Sequence, residues 1–174
     1  MDVSDRRARG NDGLDDAFAD REELVVEAAD IAEQLGERRR SDGIAAVFSS
    51  DLGRAVETAA IAFPPGTVPV LLDWRLRECN YGDLTRGSAD AHKRDRARYL
   101  DEPYPAGESW RQAVARVVRW PDDLTLRWRG ERILVVGHVA TRWALDHRLN
   151  GVPLETLVAA DFAWQQGWEY QVLS

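Results

Sequence analysis

The sequence predicts a three-layer α/β/α domain with a mostly parallel sheet. Short aliphatic runs alternate with stretches whose apolar residues recur at helical spacing. Two of those runs, Ile44 to Phe48 and Ile133 to Val136, lead directly into residues that open a helix. A chain of 174 residues with 44% hydrophobic side chains has enough apolar surface to build a core on both faces of such a sheet. In sheets of this kind ligands bind at the carboxyl ends of the strands, which directs attention to Ser49 to Arg54 and to Gly137 to Arg142.

Taken in order, Met1 to Asp20 is crowded with Asp, Arg, Gly and Asn, so residues 1–20 read as an irregular or degenerate N-terminal segment. Residues 21–174 read as the domain itself, with no repeat or linker dividing them. Leu24, Ala28, Ile31, Ala32 and Leu35 recur at helical spacing, acids fill the first turns and Arg38 to Arg40 close the last, as the helix dipole favours. Ser41-Asp42-Gly43 ends that helix, and Ile44 to Phe48 fits a buried strand. Ser49-Ser50-Asp51 is an N-cap cluster opening a helix to about Ala62, which Pro64-Pro65-Gly66 stops. Val68 to Leu72 reads as a second strand, followed by the irregular stretch Asp73 to Gly82.

A charged helical excursion covers Ala89 to Leu100, Pro103 to Gly107 is a turn, and Glu108 begins a helix carrying Ala113, Val114, Val117 and Val118. Ile133 to Val136 is the clearest strand; it meets Gly137-His138 and then a helix through Leu149, ended by Asn150-Gly151. Trp168 to Leu173 reads as a closing edge strand, and Trp164, Trp168 and Tyr170 are expected to pack inside.

Composition removes several classes of function. No run approaches the roughly 18 apolar residues of a spanning helix, and Met1 to Asp20 lacks the apolar stretch of a signal peptide. A soluble, cytoplasmic protein without a membrane partner is the expectation. The net charge of -7 argues against nucleic-acid binding, which leans on uncompensated cations. The single cysteine, Cys79, excludes a disulfide framework and any cysteine-based zinc site. His138 and His147 lack helical metal-pair spacing, and the phosphate-loop, dinucleotide and serine-hydrolase signatures are absent.

Among side chains able to carry chemistry, His138 stands at a strand tip beside helix amides, where it serves either as an anion contact or as a helix cap. Arg54, one turn into its helix, either reaches back over the strand ends or lies on the surface. Glu78, between Arg77 and Cys79, is a general acid if partly buried and otherwise an exposed loop carboxylate. His92 lies in a charged stretch and reads as solvated, while His147 near a helix end reads as structural.

Four segments, in order, resemble the histidine phosphatase (phosphoglycerate mutase-like) superfamily. Val47-Phe48-Ser49-Ser50-Asp51-Leu52-Gly53-Arg54-Ala55, continuing to Thr58-Ala59, resembles its strand-to-helix motif. Leu76-Arg77-Glu78 with Tyr81-Gly82 resembles its acid-bearing loop, Pro105-Ala106-Gly107-Glu108-Ser109 its Pro-x-Gly-Glu-Ser helix start, and Leu134 to His138 its second-histidine strand. The resemblance covers Ile44 to the C-terminus. It implies that fold and a phosphate pocket in which one histidine attacks phosphorus, a second histidine and two arginines hold the oxygens, and a glutamate protonates the leaving oxygen. Carried over by motif, His138 is the second histidine, Arg54 a phosphate-binding arginine and Glu78 the catalytic acid, with no metal or organic cofactor.

The family's nucleophile lies in an Arg-His-Gly run at the end of its first strand. Here no histidine precedes His92, and the nearest text is Ala8-Arg9-Gly10. The family's first strand lies inside the sheet, and Val3 to Arg9 is too charged to read as a central parallel strand. Either Met1 to Asp20 pairs despite its charge, or the sheet is rearranged, or the chain is a divergent or imperfect copy of the family. The functional expectation is phosphomonoester hydrolysis or phosphoryl transfer at family level without the recognisable nucleophile. The alternative is a catalytically inactive homologue that binds a phosphorylated ligand or a protein partner. Phosphate or a phosphorylated small molecule is the expected partner in either case.

Overall fold

The computed structural model describes residues 29–87 and 89–172. Its sheet has three parallel strands, β1 (Ile44–Ser49), β2 (Val70–Leu72) and β3 (Arg132–Val136), in the spatial order β2-β1-β3. The aliphatic run of β1 is central, and Val47, Ser49 and Ser50 are fully buried. Register brings Ser49 opposite both Leu72 and Val136, so all three strands end at one level. Ser50 N donates to Val136 O at 3.0 Å, which sends the chain out of β1 and β3 side by side.

Helices cover both faces. On one lie α1, over residues 29–39, and α2 (Gly53–Ala62), whose Ala55, Ala59 and Ala62 form a buried stripe at helical spacing. Val47, Leu134 and Val136 meet Ala59, Ala62, Phe63 and Leu35 there. The two helices approach closely at Gly36, where a Cβ would strike the carbonyl oxygen of Ala62. The opposite face presents Ala46, Phe48, Ile133 and Val135 to α4 (Trp110–Val117), α5 (Trp120–Arg127), α6 (Val139–Leu149) and α7 (Leu154–Ala159). The short α3 (Ala89–Asp95) precedes them. Ser109 caps α4, accepting from Gln112 N at 3.2 Å while Gln112 Oε1 accepts from Ser109 N at 2.9 Å. Trp110, Ala113, Val114 and Val117 then fall on its buried side.

Several boundaries differ from the sequence reading. The second strand begins at Val70 rather than Val68, because Pro69 has no N–H to offer a ladder. The excursion from Ala89 is helical only to Asp95 and continues as turns through Leu100. Two helices, α5 and α7, were not expected at all. No strand forms over residues 168–172, and Trp164 is 64% exposed rather than packed inside. Trp168 instead lies under the Arg142 guanidinium at 4.4 Å, and Tyr170 donates to Asp146 Oδ1 at 2.9 Å. Ile31 is also exposed, leaving Ala32, Leu35 and Gly36 as the inner face of α1. Leu24, Ala28 and the whole of Met1 to Asp20, with Val3 to Arg9, lie outside the described residues.

Candidate functional site

The three side chains singled out by the sequence arrive at the carboxyl edge of the sheet from three different elements. Arg54 comes from the first turn of α2, which begins where β1 ends; Leu52 N donates to Ser50 Oγ at 3.2 Å and sets that turn. His138 directly precedes α6 at the tip of β3. Because the two strand tips are level, Arg54 Nη2 lies 3.2 Å from His138 Nδ1. Glu78 comes from the irregular segment after β2, which opens with a single helical turn, Trp74–Leu76, whose Arg75 N donates to Asp73 Oδ1. Its carboxylate reaches across to the start of α6, accepting from Val139 N at 3.3 Å, Ala140 N at 3.1 Å and, from its own loop, Cys79 N at 2.9 Å. Glu78 therefore occupies the helix terminus immediately beside His138.

The electrostatics of the two titratable groups diverge. Burial holds the His138 imidazolium down to about 4, with the charges of Arg54 and Arg116 acting in the same direction, so the ring is neutral near pH 7. A guanidinium only donates, so the contact with Arg54 makes Nδ1 the acceptor and assigns the ring proton to Nε2. That Nε2 is buried and has no hydrogen-bond partner among the described residues. Burial pushes the Glu78 carboxyl up, against the pull of its three backbone donors and of Arg54. A donor with no acceptor, a cation beside it and a carboxyl inclined to keep its proton together suit an anion that must be held and then protonated on one oxygen.

The remaining candidates are elsewhere or inert. His92 is half-buried rather than solvated, stacked on Tyr81 with ring centroids 4.3 Å apart. Nδ1 of His147 lies 2.8 Å from Val152 O at the far end of α6, a structural contact. Burial drives the Cys79 thiol far up, so it is no thiolate nucleophile. Among the described residues no cluster of three or more His, Cys, Asp or Glu side chains is placed to hold a metal ion.

Sequence reasoning did not single out Arg116, and it named Asp51, Arg77 and Glu108 only as parts of motifs, without the pairings they make. Arg77 Nε and Nη2 reach the two Asp51 oxygens at 2.6 Å each, holding the Asp51 carboxyl below its usual range and bracing the Glu78 loop against the end of β1. Nothing local distinguishes Arg116 from the other arginines of an arginine-rich chain.

Comparison with known proteins gives this arrangement a context. Residues 22–164 match the family model described as histidine phosphatase superfamily, branch 1. A 2,3-bisphosphoglycerate-dependent phosphoglycerate mutase from Methylobacterium sp. (strain 4-46) is 34% identical over 141 residues, 72% of this chain and 68% of that protein. The chain spans about two thirds of the length of the first curated relatives it matches. Among solved structures, Bacillus stearothermophilus YhfR superposes with a TM-score of 0.67 at 27% identity, covering 79% of this chain and 72% of that one. A mycobacterial glucosyl-3-phosphoglycerate phosphatase in complex with inorganic phosphate superposes with a TM-score of 0.63 at 25% identity, covering 80% and 73%.

Proposed function

This chain belongs to the histidine phosphatase superfamily, and from that premise we propose that its cleft binds the phosphoryl group of a phosphomonoester and supports its hydrolysis. The observation that carries the reading is the contact of Arg54 with His138, with the Glu78 carboxylate seated on the amides of the next two residues. Arg54 supplies the fixed positive charge for the phosphoryl oxygens, and His138 Nε2–H donates to one of them. Glu78 gives its proton to the departing ester oxygen. Its Oε2 makes the longest of the three amide contacts and is the oxygen assigned that proton.

The chain's three histidines are His92, His138 and His147; His138 contacts Arg54, whereas His92 stacks on Tyr81 and His147 meets Val152 at the far end of α6. Water is therefore taken as the acceptor: its oxygen bonds to phosphorus and its proton goes to solvent. The bridging P–O bond breaks, and the leaving oxygen takes the proton of Glu78. No histidine precedes His92 in this sequence, which also favours a second reading, in which the same pocket binds phosphate without turnover. No described helix is long and apolar enough to cross a membrane, and the proposal places the protein in the cytoplasm.

The test is hydrolysis of an aryl phosphate by the purified protein and by His138→Ala from pH 4 to 7, with orthovanadate binding measured in parallel. Turnover that disappears in the variant supports hydrolysis. Vanadate binding that depends on His138 without turnover supports the second reading. Failure of both activities in the unaltered protein removes the phosphate site altogether.

A further inference from the structure

We propose that Arg116 and Glu108 form a clamp that positions the proton donor, fixing the backbone on both sides of Glu78 and thereby setting where its carboxyl points. This rests on the role given to Glu78 above. Arg116 projects from α4 and its side chain is only 10% exposed. All five of its N–H donors are engaged. Nε and Nη2 meet Glu108 Oε1 and Oε2 at 3.0 and 2.8 Å. Nη1 donates to the carbonyls of Arg75 and Arg77 at 2.7 and 3.1 Å, and Nη2 also donates to the Glu78 carbonyl at 3.2 Å. None remains for a phosphoryl oxygen, so this arginine acts on the loop rather than on an anion.

Glu108 holds the other side of the loop. Its Oε2 accepts from Asn80 N at 3.1 Å, its own N donates to Asn80 O at 2.8 Å, and its carbonyl receives Cys79 Sγ at 3.8 Å. The carbonyls of residues 75, 77 and 78 and the amide of residue 80 are thus fastened to one ion pair, and the Glu108 backbone holds the carbonyl of residue 80. Thr141 adds a tie to the helix that bears His138, accepting from His138 N at 3.2 Å and donating to Leu76 O at 3.0 Å. A buried polar network with its members satisfied is rigid, and proton transfer depends steeply on the position of the donor.

The test uses Glu108→Gln and Arg116→Lys in the full chain, with folding checked by circular dichroism. Arg116→Lys keeps the charge and loses the fork, so an effect shared by both variants reports geometry rather than field; if it does not fold, Glu108→Gln carries the test. Three quantities are read: orthovanadate affinity, kcat/KM for aryl esters with good and poor leaving groups, and the carbon-13 titration of the Glu78 carboxyl, assigned with Glu78→Gln. We expect vanadate affinity within about threefold of the unaltered protein. We also expect about a hundredfold loss with the poor leaving group against less than about tenfold with the good one. The Glu78 midpoint should move down toward the ordinary carboxylate range as the loop loosens and hydrates. Folded variants that titrate at Glu78 unchanged and lose rate equally on both esters overturn the proposal. If the unaltered protein neither binds vanadate nor turns over, the phosphatase reading fails by itself, and the Glu78 titration still decides the clamp.

Discussion

The two walls of the cleft are built on opposite plans. On the loop wall, the Glu78 carboxylate takes three backbone donors, and the Arg116 guanidinium behind it uses every N–H it has. On the anion wall, the exposed Arg54 guanidinium makes one hydrogen bond among the described residues, to His138, and the buried Nε2 of that histidine makes none. A satisfied group has nothing left to give a ligand, whereas an orphaned donor is costly until something accepts from it. On the proposed function, one wall would hold a proton in place and the other would receive oxygen atoms.

The largest test of that contrast removes the anion wall. Arg54→Ala and His138→Ala are each expected to weaken orthovanadate binding about ten- to hundredfold, the scale of a charge-assisted hydrogen bond to an anion. Calorimetry or competition binding reads this directly. Unchanged affinity in a folded Arg54→Ala protein would mean that the two walls do not differ as described.

Glu78 was as legible in the sequence as the anion wall, but the Arg116 support behind it was not, and the reason is physical. His138 at a strand tip and Arg54 in the first turn after one are announced by their own neighbours: Ile133 to Val136 and Ile44 to Phe48 are aliphatic runs of strand type, and both lead into helix-starting residues. Arg116 has no such local signature, because its role is fixed by carbonyls about 40 residues earlier in the chain. The same holds for His92, surrounded by charge in sequence yet stacked on Tyr81 in space. The helix α5 did carry a local signal that the apolar period hid, with Pro121 in its first turn ahead of Asp122 and Asp123. The expected strand from Trp168 failed because an apolar run states that a segment wants burial, and Trp168 and Tyr170 find it against Arg142 and Asp146 rather than in a ladder.

A second prediction separates the walls by function. Glu78→Gln is expected to retain vanadate affinity while lowering kcat/KM for a poor leaving group about hundredfold, the usual range for loss of a general acid. The pH sign follows from the direction of the shift. Burial raises the Glu78 carboxyl, and the proposed proton donor acts in its protonated form, so the rate of the unaltered protein is expected to fall as pH rises through that raised midpoint. Glu78→Gln should lack this descending limb. If it instead abolishes vanadate binding, Glu78 belongs to the anion wall.

Stability offers a smaller signal. His138 titrates at about 4 in the folded chain against an ordinary value of 6.5. Below 6.5 the unfolded chain takes up a proton that the folded one refuses, so stability is present above that pH and is lost as pH falls toward 4. His138→Gln, which cannot titrate, should lose less over the same interval. Discounted for the partial exposure of the ring, the difference is on the order of 1–2 kcal/mol, a few degrees in Tm. Parallel melting curves of the two proteins from pH 7 to 4 would contradict it.

The smallest effect probes how firmly the loop wall is made. Its outer turn brings Gly82, at a φ of +52°, so close to Pro105 that a Cβ there would strike the Pro105 carbonyl oxygen. The neighbouring Ala106 is held at a φ of +57°, a region that costs an L-residue about 1–2 kcal/mol. Asp83 N donates to Pro105 O at 2.9 Å and Gly107 N to Tyr104 O at 2.8 Å, so the turn is fixed from both sides and the residue has no freedom to relax. Ala106 is exposed and little packing is lost on changing it. Ala106→Gly relieves the strain but gains chain entropy in the unfolded state, leaving a net change within about 0.5 kcal/mol of zero, on the stabilising side. Ala106→Val, with a branched Cβ in the same conformation, should lower Tm by about 2 °C. A Val variant that melts with the unaltered protein would show that the turn yields, and a wall whose outer turn yields cannot hold Glu78 as rigidly as its hydrogen bonds require.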